Sequence, residues 1–121
     1  MKMIVAVAAT MLVASATSAL AADPAAGEKV FKAQCSACHT VVEHKKLVGP
    51  SLFGVVDRKA GSEDFAYSDA NKNSGVVWDA ATLDKYLVAP QAFVKGTKMT
   101  YAGLKNETQR ADLIAFLATK K

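Results

Sequence analysis

The sequence predicts an all-α domain of three main helices joined by long loops and short helical turns. Three observations lead there. Helical patterns opened by capping side chains occur in three places, the stretch between the first two shows no sustained apolar–polar alternation, and two cysteines sit in the pentapeptide C-S-A-C-H, Cys35 to His39. With 121 residues the chain has room for one compact domain and not two, which excludes a multi-domain enzyme. The formal net charge is +4, and it becomes +3 if Lys2 leaves with the leader described next. That mild basicity, with Arg58 and Arg110 as the arginines and no aromatic interleaving among the lysines, lacks the dense stripe expected of a nucleic-acid binder.

Taken in order, residues 1–21 read as a cleaved secretory signal. Lys2 precedes an apolar stretch from Met3 to Ala14, and small residues stand at Ala19 and Ala21, so cleavage is expected after Ala21 or Ala22, leaving residues 22–121 as an exported, periplasmic domain. An uncleaved anchor is the alternative. The apolar run is shorter than the ~20 residues a spanning helix needs, and Thr10, Ser15, Thr17 and Ser18 interrupt or follow it.

The first helix begins at Asp23-Pro24, where aspartate caps and proline fits the first turn, with Val30 and Phe31 as its apolar side. Some 40 residues rich in Gly, Ser, Lys and Asp follow, a long irregular stretch for a small domain. So small a core calls for a staple such as a disulfide, a metal or a cofactor. The second helix starts after Asp79 and stops at Ala89, because Pro90 disfavours helical geometry in the residue before it. The third opens on a capping box, Asn106 with Gln109, and carries Leu113, Ile114, Phe116 and Leu117 at three- and four-residue spacing.

The pentapeptide supplies the staple. Thiols three residues apart at a helix end can add to the two vinyl groups on one edge of a haem, and the adjacent His39 can turn its imidazole onto the iron. A thiol redox pair uses the same C-x-x-C but belongs to a strand-and-helix context absent here. A structural zinc site needs four ligands, and Cys35, Cys38, His39 and His44 place two of them side by side. A plain disulfide is the blandest reading. The immediate histidine, the leader and helices without strands favour haem.

A second axial ligand can then be sought. Beyond the leader Met99 is the remaining methionine, and the other histidine is His44. Five residues span at most about 18 Å, and rounding the macrocycle from His39 would consume nearly all of it. Met99 lies in the turn-rich segment K-G-T-K-M-T-Y, among Gly96, Thr97 and Thr100, which suits a loop better than the core-filling role usual for methionine. Thioether sulfur favours reduced iron, and a His/Met pair leaves no open position. An electron carrier follows, with a haem peroxidase that displaces Met99 as the alternative and a haem-free thiol redox protein as a third class.

The ordered segments G-E-K-V-F, C-S-A-C-H, G-P-S-L-F-G-V-V-D-R-K-A-G, Y-S-D-A-N-K, V-V-W, K-Y-L-V-A-P, K-G-T-K-M and R-A-D-L-I-A-F-L resemble a class I cytochrome c of the bacterial and mitochondrial-like monohaem type, across residues 24 to 119. The resemblance implies the cytochrome c fold wrapped around one covalent haem c, with Gly27 and Phe31 crossing the last helix against Leu113 and Phe116. It implies that the Pro50 carbonyl fixes His39, and that Arg58, Tyr67, Trp78 and Thr97 bond or shield a propionate. Asn71 and Tyr86 would line the Met99 side, with the Tyr86 hydroxyl near the sulfur. It further implies a monomeric shuttle between a membrane quinol-oxidising complex of the cytochrome bc type and a terminal oxidase or photosynthetic reaction centre. These would dock at a haem edge framed by Lys32, Lys46, Lys95, Lys98 and Lys105, with no nucleic acid involved. Two departures stand out: Lys95 where mitochondrial relatives have proline, and Tyr101 where phenylalanine is common.

Overall fold

Side-chain caps set the starts of the three long helices in the computed structural model, which describes residues 21–121. The predicted signal segment lies outside the described residues except for Ala21. The helix α1 spans Pro24–Gln34 and opens with the Asp23 carboxylate accepting from the Ala25 N–H at 2.9 Å. Two shorter elements accompany the three long helices: α2, Asp69–Lys72, is capped by the Ser68 side chain, and α4, Pro90–Phe93, has no side-chain cap and starts on the proline that ends its predecessor. Between them α3 runs Ala80–Val88 behind Asp79, whose side chain accepts from Thr82 at 2.7 Å. The last helix, α5, runs Glu107–Ala118 behind Asn106, which accepts from the Gln109 N–H at 2.9 Å. Of the expected box this forward half is the part formed among the described hydrogen bonds.

These caps have a measurable weight. Asn106→Ala removes one partner of α5's unsatisfied N–H groups, and a loss of about 1 kcal/mol in urea unfolding is expected.

The helices meet around one core. The α1–α5 crossing is the most extensive helix pair, and it depends on Gly27. A Cβ there would lie 1.9 Å from the Asp112 carbonyl oxygen and 2.8 Å from Phe116 Cβ. One turn on, Phe31 tilts against Phe116 with ring centroids 5.6 Å apart. Leu113 and Leu117 complete the buried seam, so the crossing is the one expected of Gly27, Phe31, Leu113 and Phe116. Above it lie Trp78, Leu83, Tyr86 and Leu87, joined to Phe31, Leu113, Phe116 and Leu117 in one buried cluster.

An element with no signal in the sequence ties α5 to α3. Arg110 is buried, yet its Nε donates to Asp84 Oδ1 at 2.8 Å and its guanidinium to the carbonyls of Leu104 and Lys105. Nε and Nη1 both find acceptors, which is the condition for burying such a charge. Among the described residues there is no strand, only an isolated bridge between Lys59 and Val77, and no helix is long and apolar enough to cross a membrane.

Candidate functional site

The end of α1 delivers the pentapeptide. Cys35 is the residue that closes the helix, its N–H bonded to the Phe31 carbonyl, and the chain then coils once more, with Cys38 and His39 both donating to the Cys35 carbonyl at 3.1 and 2.9 Å. That extra turn brings Cys35, Cys38 and His39 to the wall of one cavity of about 320 Å³. Cys35 is half-buried and Cys38 exposed.

Burial pushes the Cys35 thiol up to about 11, with Cys38 adding to the shift. A thiol–disulfide catalyst needs the opposite, a thiol held low so that the thiolate attacks. Cys35 is built as a protonated, sheltered thiol.

His39 is oriented from behind. Its Nδ1 lies 2.7 Å from the Pro50 carbonyl oxygen, which can only accept, so Nδ1 carries the proton and Nε2 keeps its lone pair. Desolvation lowers the ring's pKa, the Pro50 bond opposes that shift, and the Arg58 charge adds to the lowering. The result is a neutral imidazole with one free nitrogen. Gly49 makes room for it, because a Cβ there would fall 2.4 Å from His39 Cε1.

Another part of the wall comes from α3 and the loop before α5. Tyr86, buried on α3, donates its hydroxyl to Met99 Sδ at 3.0 Å. Burial pushes the Tyr86 phenol up to about 12, which keeps the donor protonated. Trp78 packs against Tyr86 with ring centroids 4.5 Å apart and the planes tilted by 51°. Asn71 lines the same space, and its buried Oδ1 has no hydrogen-bond partner, an unsatisfied acceptor of the kind that calls for a missing group.

Every site residue expected from the sequence lines this cavity: Cys35, Cys38, His39, Pro50, Arg58, Tyr67, Asn71, Trp78, Tyr86, Thr97 and Met99. Three of the predicted polar residues, Arg58, Tyr67 and Thr97, already hold local partners. Arg58 donates to the carbonyls of Ser51 and Phe53 and faces Glu63 Oε1 at 3.4 Å. The Tyr67 hydroxyl accepts from the Glu63 N–H, and the Thr97 hydroxyl from the Met99 N–H. His44, the rejected ligand, is exposed beside Glu43 and Glu63, both at 3.5 Å, and is absent from the cavity wall.

The lysines are less gathered than expected. Of Lys32, Lys46, Lys95, Lys98 and Lys105, Lys98 lines the cavity. Lys32 pairs with Glu28 at 3.2 Å, Lys46 with Asp64 at 3.6 Å, and Lys105 turns back onto the Val88 carbonyl. Gly49 and Leu52 belong to the site without having been singled out as ligand-contacting residues; the only signal was their place in G-P-S-L.

The donor set fits one kind of group. Paired thiols, a neutral imidazole and a thioether share a cavity whose other walls include Leu52, Val55, Leu83, Leu87 and Leu117. That mixture of soft ligands and apolar lining suits a haem and its iron.

Comparison with known proteins agrees. The family model described as Cytochrome c matches residues 24–121. Cytochrome c2 of Rhodomicrobium vannielii is 59% identical over 111 residues, covering 90% of this chain and 88% of that protein. Cytochrome c2 of Rhodoblastus acidophilus is 56% identical over 103 residues, covering 84% and 95%. Among solved structures, cytochrome cH from Methylobacterium extorquens superposes with a TM-score of 0.76 at 48% identity, covering 81% of this chain and 99% of that one. The chain therefore belongs to the cytochrome c family as a class I, single-haem member, an electron carrier and not an enzyme, with covalent haem c as its cofactor.

Proposed function

We propose that the protein is a soluble periplasmic shuttle whose haem iron is held by His39 and Met99. The observation that supports it most is the placing of His39 and the Tyr86-bonded Met99 sulfur on the walls of one cavity. Bound haem supplies one-electron chemistry, its iron passing between ferric and ferrous.

The chain's residues prepare that site. Cys35 and Cys38 would form the two thioether tethers. The Pro50 carbonyl holds the Nδ1 proton so that Nε2 is the ligand. From α3 the Tyr86 hydroxyl fixes the direction of the Met99 sulfur, and Asn71 offers its free Oδ1 on that side. Arg58, Tyr67, Trp78 and Thr97 would bond or screen the propionates. With His39 and Met99 committed to the iron, no position would stay open for oxygen or peroxide, which argues against the peroxidase reading.

Met99→Ala tests the ligation. Loss of the thioether should lower the reduction potential by on the order of 0.1 V or more, out of the ~0.8 V that axial ligands span, and let ferric protein bind added imidazole readily. A variant with the wild-type potential rules out Met99 as ligand.

Cleavage after Ala21 or Ala22 would release residues 22–121 or 23–121 as a monomer into the periplasm. There we place it between a membrane quinol:cytochrome c oxidoreductase and a terminal oxidase or photosynthetic reaction centre. Lys98 at the cavity, with Lys32, Lys46, Lys95 and Lys105 farther out, would steer it to acidic docking surfaces. Such steering weakens with salt. Electron transfer to an isolated partner complex should therefore slow as ionic strength rises, and a salt-independent rate contradicts docking through lysine.

A further inference from the structure

The wall that carries Met99 is a loop, since no helix forms between α4 and α5. Most of its bonds run to one half of the molecule. Gln91 Nε2 donates to the Met99 carbonyl at 3.3 Å, Lys98 Nζ to the Ala66 carbonyl at 3.1 Å, and Leu104 N–H to the Leu87 carbonyl at 2.7 Å. Tyr86, also on that half, holds the sulfur itself.

One bond crosses to the other half. The Tyr101 hydroxyl donates to Gln34 Oε1 at 3.1 Å, between residues 67 positions apart. Gln34 is the last residue of α1 and immediately precedes Cys35. Both partners line the cavity, where exposed Gln34, Cys38, Val48, Lys98 and Thr100 form its mouth. Among the described hydrogen bonds no other joins residues 95–104 to α1 or to the C-S-A-C-H turn.

We propose that Tyr101 is a positioning residue that clasps the Met99 loop to the cysteine end of α1 across the cavity mouth. The residue lines the cavity, and its hydroxyl fixes the distance between the two ligand-bearing segments. Without the hydroxyl the loop is anchored along one side alone and can swing outward, carrying the Met99 sulfur with it. The inference rests on the proposed ligation by Met99. A hydrogen bond between exposed Gln34 and partly buried Tyr101 biases an opening equilibrium by about twofold to tenfold.

The test uses the holoprotein with Tyr101→Phe, Gln34→Ala and the double variant, reading imidazole binding to the ferric form and amide hydrogen exchange over residues 97–103. Each single change should raise imidazole affinity by about twofold to tenfold and speed exchange in that segment. The double variant should match the singles, because both remove one bond, and Gln34→Glu, which keeps an acceptor oxygen, should stay near wild type. A purely structural role would lower thermal stability without moving imidazole affinity. Singles indistinguishable from wild type, or a double variant with the summed effect, overturn the clasp while the wild-type sulfur-to-iron absorption band stands. Absence of that band in wild-type ferric protein removes the Met99 reading and the clasp with it.

Discussion

Cys35→Ala/Cys38→Ala should yield a chain that carries no covalent haem and does not hold its native fold. The argument is one of lost contacts. The cavity of about 320 Å³ opens to solvent through its mouth, so without haem water enters it and the contacts its apolar walls would make with the ring are lost. Whole domains are stable by only about 5–15 kcal/mol. The haem is therefore part of the core, and the thioethers keep it there. Acid–acetone extraction should remove any residual haem from the double variant and none from wild type, and far-UV circular dichroism should show its helices largely lost. Native helix content in a haem-free double variant would mean that the cavity closes by itself.

The second large effect concerns the helix crossing. Gly27→Val places a branched side chain where even a Cβ meets the Asp112 carbonyl oxygen at 1.9 Å. Backbone cannot yield as a flexible side chain does, so α1 must lift off α5 and separate Phe31 from Phe116. Overpacking of a close-packed interior costs about 1–3 kcal/mol, and more where backbone must move. A loss of about 3 kcal/mol or more is expected in chemical denaturation. The contrast is Gly54→Ala, where a Cβ meets nothing within 4 Å and the backbone φ of +69° is the sole obstacle; left-handed strain of about 1–2 kcal/mol is its whole cost. Equal losses at the two positions would show that the crossing tolerates separation.

The long helices were legible because their signals are local. Asp23, Asp79 and Asn106 each cap within three residues, and Pro90 ends α3 through the residue it follows. The pentapeptide was equally local, and Met99 emerged by elimination. Pro50, Arg58, Tyr67, Asn71, Trp78, Tyr86 and Thr97 came from resemblance, since no spacing rule places them, and the cavity collects all of them. What stayed hidden depends on distance in sequence or on freedom of long side chains. The helices α2 and α4 hold four residues each, too few to show a period. Arg110 reads as a solvent-facing helix residue until Asp84 and two carbonyls close around it. Lys105 reads as part of a charged ring until it turns to a backbone carbonyl. The Tyr101–Gln34 bond joins two unremarkable polar residues that only the fold brings together.

Intact-mass spectrometry of the exported, purified protein bears most directly on the central claim, covalent haem at Cys35 and Cys38. The expected mass is that of residues 22–121 or 23–121 plus one haem, with the added mass surviving acid and retained on the peptide that contains C-S-A-C-H. A mature chain with the bare polypeptide mass, or one lighter by two hydrogens through a Cys35–Cys38 disulfide, would contradict it.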